Sequence, residues 1–192
     1  MKKFATEKIT VFSIQLLLIC ALVLTFILPA LSSSYATSQS PECCVTLLKN
    51  RDYFPALIKA IDGAEKEIVM SFFLFKTNGY PNNCPDIVVA HLISAARRGV
   101  TVKVILETGR DLNLDKNNRE TGIRLKNGGI DVYFDRPTTK THTKVAVIDR
   151  KYTFLGSHNL TNSALKYNNE LSILIDSPKA ALETLNYINT LY

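Results

Sequence analysis

The chain has 192 residues, with 23 Lys and Arg against 17 Asp and Glu and a formal net charge of +6. At 46% hydrophobic and 21% charged, without repeats or low-complexity tracts, it is excluded from the disordered class. Its length suits one domain with a proper core.

In chain order, the first predicted element is a hydrophobic helix. Lys2, Lys3 and Lys8 precede the stretch Val11 to Leu31, which is apolar apart from Ser13, Gln15 and Thr25, and no charge falls between Lys8 and Glu42. A basic start, an apolar middle and then "SSSYA", with Ser34 and Ala36 as small residues before a cut, read as an export signal. The apolar run is also long enough to cross a bilayer. Residues 1–36 are therefore expected to be a signal peptide or a membrane anchor, 37–44 a linker, and 45–192 the domain. With the basic flank on the cytoplasmic side, that domain is exported: periplasmic or secreted, or anchored through residues 11–31. Without residues 1–36, 20 basic and 16 acidic residues remain, an excess that suits a polyanionic or anionic-surface partner. Of the cysteines in the exported part, Cys43 or Cys44 is a candidate to bond Cys84.

Asp52 to Lys66 has apolar residues at helical spacing, and "EIVMSFFLF" after it reads as a strand buried on both faces. Pro85 and Asp86 open a second helix that Gly99 stops, "VTVKVILE" is the next strand, and "GRDLNLDKNNRE" reads as a solvated loop entering a third helix over Lys116 to Lys126. The strand "IDVYFD", a strand from His142 to Asp149, the returning "TFLGS", the strand "ELSILID" and a closing helix from Pro178 complete the order. The alternation predicts an α/β fold: a largely parallel or mixed sheet covered by helices.

Side chains alternate along a strand, so His142 and Lys144 share one face, and Ser157 shares a side with Asn159 if "GSHN" is extended. Gly156 lets backbone approach a ligand closely. An ammonium, a hydroxyl and an amide around one imidazole make an anion site suited to a phosphodiester, with Lys144, Ser157 and Asn159 holding the non-bridging oxygens. His142 then attacks phosphorus, because imidazole titrates near neutrality and forms covalent intermediates. Its far nitrogen needs an acceptor, for which Glu170 is the candidate. Without an acidic cluster of the two-metal kind, the reaction is expected to need no metal and no other cofactor.

The spacing His142-x-Lys144-x4-Asp149-x6-Gly156-Ser157-x-Asn159 resembles the HKD signature of the phospholipase D superfamily, and Glu170 falls where bacterial endonucleases of that superfamily carry a glutamate. The resemblance covers most of residues 45 to 176. It implies a mixed sheet flanked by helices on both faces, a two-step reaction through phosphohistidine, and a mostly structural role for Asp149 within the set. Larger members hold two such motifs and this chain holds one, while the mechanism needs a second histidine to protonate the leaving oxygen. His91 lacks a lysine partner, and His158 alternates away from Ser157 and Asn159. By resemblance to the short single-motif nucleases, two chains pair in a C2 homodimer with a shared site.

Other basic residues have plainer readings. Arg97 and Arg98 complement a helix dipole, Arg110, Lys116 and Arg119 lie along a path for a phosphate backbone, and Lys140 has a better claim to that role. A sugar on the "NLT" sequon at Asn159 would block the site. No aromatic stacking platform is evident in the sequence. The favoured reading is a metal-independent endonuclease acting on DNA or RNA. A phospholipase D acting on membrane lipid and a non-catalytic anion-binding protein are the alternatives.

Overall fold

A computed structural model describes residues 43–192 except 110 and 137. The expected leader and most of the linker lie outside the described residues, and no described helix is long and apolar enough to cross a membrane. The elements are β1 (Cys44–Lys49), α1 (Tyr53–Asp62), β2 (Glu67–Phe72), α2 (Cys84–Arg97), β3 (Thr101–Leu106), α3 (Leu112–Asn127), β4 (Asp131–Phe134), β5 (Lys144–Ile148), β6 (Tyr152–Gly156), α4 (Asn162–Lys166), β7 (Leu171–Asp176) and α5 (Pro178–Ile188).

The seven strands form one mixed sheet in the order β1-β7-β6-β5-β2-β3-β4. β2, β3 and β4 run parallel, joined through α2 and α3 as parallel neighbours require, and every other pairing is antiparallel. Alternation along β2 explains the layering. Ile68, Met70 and Phe72 enter the larger core with Leu57 and Ile61 of α1, Val88 and Leu92 of α2, and Leu125 of α3. Val69 points the other way, joining Ile105, Val145 and Val147 beneath Ala181, Leu185 and Ile188 of α5. Helices therefore cover both faces, as expected. All five residues of β5 are buried, so its polar first residue, Lys144, is held at the margin of a core.

Three elements differ from the sequence reading. β1 falls partly within the expected linker: its edge position leaves Val45 and Leu47 exposed, and only pairing with β7 makes it a strand. Helix α3 starts at Leu112 because Asp111 accepts from the amides of Asn113 and Leu114, leaving little of the expected loop. Helix α4, capped by Thr161, is a five-residue turn without a periodic signature. Cys43, Cys44 and Cys84 are free thiols, contrary to the suggested bridge. Cys44 pairs with Asp176 at one end of β1, whereas the Cys84 amide donates to Asn162 beside the opposite end of the sheet.

Candidate active site

Phe72 at the end of β2 pairs with Lys144 at the start of β5, and the ends of β3 and β6 and the start of β7 lie on the same border of the sheet. Every predicted site residue but one gathers there. His142 is exposed just before β5 rather than within it, its ring meeting Phe73 edge-on with centroids 4.4 Å apart. The amide of Phe73 donates to the Thr143 carbonyl at 2.7 Å, fixing the segment that carries the imidazole. Lys144 is buried, and its ammonium donates to the His142 carbonyl at 3.1 Å and stands 3.3 Å from His142 Nε2.

Asn159 follows β6 in a segment that runs beside the continuation of β2. Leu160 donates to the Leu74 carbonyl, accepts from Lys76 and bridges Phe75, so the asparagine is anchored from both directions. Its Oδ1 is buried and has no hydrogen-bond partner among the described residues. Such an oxygen carries a desolvation cost until a ligand or second chain supplies a donor.

Ser157 is exposed, donates to the Glu170 carboxylate and accepts from the Leu171 amide at 3.0 Å. Glu170 also accepts from Asn168 at 3.0 Å, and the Asn50 side chain accepts from its backbone amide at 2.8 Å. Within one chain Glu170 is thus engaged with Ser157 and Asn168 rather than with the far nitrogen of His142. Gly156 likewise has a different reason from the one expected. A Cβ there would stand 2.2 Å from Ser172 Oγ and 2.4 Å from Ser172 Cα, so the glycine admits a neighbouring strand, not a ligand.

Asp149 is the exception, sitting at the far end of β5. It accepts the amides of Glu65, Lys66 and Glu67 at 2.8 to 3.0 Å, locking the α1–β2 connection to the β5–β6 hairpin. The hairpin needs Asp149 and Arg150 at φ 54°, and an aspartate tolerates that left-handed conformation. Asp149 therefore ties two backbone segments together at the end of β5 away from His142.

The remaining candidates sort by their contacts. Lys140 is exposed, with Nζ 5.4 Å from the Phe73 centroid. Lys116 and Arg119 pair with Glu120 and Asp115 on their own helix, and Arg110 lies outside the described residues. Arg98 donates to the Ile61 carbonyl, capping α1. His91 pairs with Asp62 on the helical surface. His158 is fully buried, stacked on Tyr53 at 4.4 Å and bonded between Ser172 Oγ and the Asn50 carbonyl, so it props the site from behind.

Electrostatics follow this placement. Partial burial and the ammonium groups of Lys144 and Lys140 hold the His142 pKa below the ordinary histidine value. Burial lowers that of Lys144, opposed by the charge of Glu170. Two groups absent from the sequence reading complete the surroundings. Burial and the facing Asp135 push Glu107 up to about 7, and Glu107 accepts the Thr141 amide just before His142. Burial works against ionisation of Asp135, but hydrogen bonds from Glu107 and Thr108 keep its pKa below the usual carboxylate range. A carboxyl at a strand end carries no periodic signal, and only the β3–β4 pairing brings these two together. The border as a whole can hold a small anion between a cation and an amide, with a neutral imidazole alongside.

Residues 57–192 match the family described as cardiolipin synthase, PLD-like domain. The chain is 33% identical over 125 residues to a phospholipase D of Rickettsia prowazekii, covering 65% of this chain and 55% of that protein. It is 29% identical over 129 residues to cardiolipin synthase A of Buchnera aphidicola, covering 62% and 26%. The chain thus spans little more than half the length of the first of these relatives. Among solved structures it resembles Nuc from Salmonella typhimurium, a phospholipase D family member, with TM-score 0.66 and 25% identity over 78% of this chain and 94% of that one. NucT from Helicobacter pylori gives TM-score 0.62 at 22% identity, covering 78% and 96%, a likeness of fold. With the family match running through both halves of the His-x-Lys and Gly-Ser-x-Asn pattern, the chain belongs to the phospholipase D superfamily.

Proposed function

We propose that the chain is a phosphodiesterase working through a histidine nucleophile, and that nucleic acid is its substrate. The observation that carries this is the convergence of His142, Lys144 and Asn159 on one open border, with the ammonium of Lys144 in no ion pair among the described residues. Lys144 and the Asn159 amide hold the non-bridging oxygens. An imidazole nitrogen of His142, kept neutral by its two lysines, forms a bond to phosphorus as the bond to the leaving oxygen breaks. A second imidazole gives that oxygen a proton, then takes one from the water that cleaves the phosphohistidine.

The second imidazole is expected from another copy of the chain. His91 and His158 are engaged elsewhere, and among the described residues the charges acting on His142 are the ammonium groups of Lys144 and Lys140. Val45, Leu47, Leu155 and Leu171 are exposed apolar residues on the sheet face that carries α5. Leu155 and Leu171 adjoin Ser157 and Glu170, so a copy packed there abuts the site. In such a C2 pair, Glu170 from one copy is free to face His142 of the other, and the two imidazoles titrate as a coupled pair, one neutral and one protonated.

The basic excess and the exposed Lys140 favour a phosphate backbone as substrate. The 33% identity to a protein named phospholipase D gives the second reading, hydrolysis of a phospholipid. Both are tested by assaying the purified chain in excess chelator on plasmid DNA and phosphatidylcholine side by side. Cut DNA is expected; head-group release with intact DNA would decide for the lipase. Mixing wild type with inactive His142→Ala should yield heterodimers of strongly reduced activity, whereas a fully active monomer in sedimentation refutes the pairing.

A further inference from the structure

Next to His142, on the β3–β4 side, lies a cavity of about 300 Å³ bounded by Phe73, Glu107, Thr108, Asp111, Leu114 and Lys140. Phe73 is the wall it shares with the phosphate site. The ring touches the His142 imidazole at 4.4 Å, and the ammonium groups of Lys144 and Lys140 lie 5.1 and 5.4 Å from its centroid. A group stacked there is therefore an immediate neighbour of the phosphorus under attack.

The cavity is built before any ligand arrives. Asn118 of α3 is fully buried, accepts from Phe75 N at 2.9 Å, and donates to the carbonyls of Phe73 at 2.8 Å and Glu107 at 2.9 Å. Thr121 donates to the Phe75 carbonyl at 2.6 Å. One helix thus fixes both the aromatic wall and the facing carboxyl. Glu107 is 1% exposed, with Oε2 on the Thr141 amide and Oε1 only 3.3 Å from where a Gly109 Cβ would stand. Glu107 and Gly109 both line the cavity. Near neutral pH this carboxyl is available in both forms, as donor or as acceptor.

We propose that this cavity receives one unpaired nucleobase adjacent to the scissile phosphodiester, its face on Phe73 and its edge toward Glu107. The inference rests on the nucleic-acid reading above and deepens it. A planar heterocycle with mixed donors and acceptors matches an aromatic wall opposite a carboxyl of adjustable protonation. A cationic lipid head group suits the cavity less well, because the ammonium groups of Lys140 and Lys144 near the ring repel a cation and leave a neutral base unaffected. A base stacked inside a duplex cannot enter without being extruded, so single strands should be cut in preference to double strands.

The test uses the full chain in excess chelator. One substrate is a single-stranded oligonucleotide, and the other is a strand of equal length in which every base is replaced by an abasic sugar. In wild type the intact strand should be favoured in kcat/KM by about 5- to 100-fold, the range expected for one stacked base. In Phe73→Leu that ratio should fall toward one, and any damage to the chemistry common to both strands cancels in it. Equal cutting of both strands by wild type, or a ratio untouched by Phe73→Leu, overturns the subsite while leaving the nuclease reading intact. If neither strand is cut but phosphatidylcholine is hydrolysed, the nuclease reading fails and the subsite with it.

Discussion

The two ends of β5 hold polar groups in opposite states. At the Asp149 end every charge is answered: the carboxylate takes three backbone amides, Arg150 pairs with Glu67 at 2.7 Å, and Lys151 lies 3.6 Å from Asp176. At the other end, among the described residues, Lys144 is buried in no ion pair, Asn159 Oδ1 has no partner, and the charges acting on His142 are the ammonium groups of Lys144 and Lys140. Unmet polar groups are costly in a folded chain. Among the described residues, bonded charges thus gather around Asp149 and unmet polar groups around His142, so the two ends invite different substitutions.

Substitutions at the two ends should accordingly separate activity from stability. The largest effect belongs to His142→Ala, expected to lower plasmid cleavage by about 10⁴-fold or more while the melting temperature stays put, because the imidazole is exposed. Cleavage that survives the change would remove the nucleophile from this end. Lys144→Met keeps the buried stem and removes the charge. Activity should drop by roughly 10²- to 10³-fold, and the melting temperature should hold or rise, since an unpaired buried ammonium is a liability to the fold. A marked loss of stability would mean that the ammonium is answered after all.

Asp149→Ala should do the reverse, costing about 2 to 3 kcal/mol, or about 5 to 10 °C in Tm, with turnover per folded molecule little changed. Burial opposes ionisation of Asp149, but the amides of Glu65, Glu67 and Lys66 hold its pKa below the ordinary value. Its stabilisation is thus complete above the unfolded pKa of about 3.9 and is lost as pH falls through the folded value, so the gap between wild type and variant should close in acid. A gap independent of pH would transfer the effect to backbone strain.

The smallest effect is expected beside the site. Glu107, raised to about 7 by burial and by Asp135, binds its proton more tightly folded than unfolded. Its contribution is full below the unfolded value of about 4.3 and is lost as pH rises through about 7. Glu107→Gln keeps the acceptor for the Thr141 amide and removes the titration, so thermal melts of the variant should vary less with pH between about 5 and 8 than those of wild type. Parallel curves would show that no proton is held there.

The residues that gather at the head of β5 are more legible in the sequence than those around them. His142 and Lys144 were legible because period-two alternation puts them on one face, and the Gly-Ser-x-Asn spacing supplied the rest. Phe73 was not: it reads as one more apolar residue of "EIVMSFFLF" until the antiparallel pairing of Phe72 with Lys144 sets its ring against His142. Glu170 was found but given a partner that belongs to Ser157 and Asn168 within one chain, and Gly156 was read toward a ligand when Ser172 is what it accommodates.

The sequence by itself determined the alternation of strands and helices, the polar set at the head of β5 and the turn that follows it, because these depend on spacing along a few residues. Only the tertiary structure decided which strands are neighbours, and with them the cavity beside His142, the Glu107 and Asp135 pair, and the contrast between the two ends of β5. Those depend on residues far apart in the chain, which the order of strands in the sheet, and no local period, brings within reach of one another.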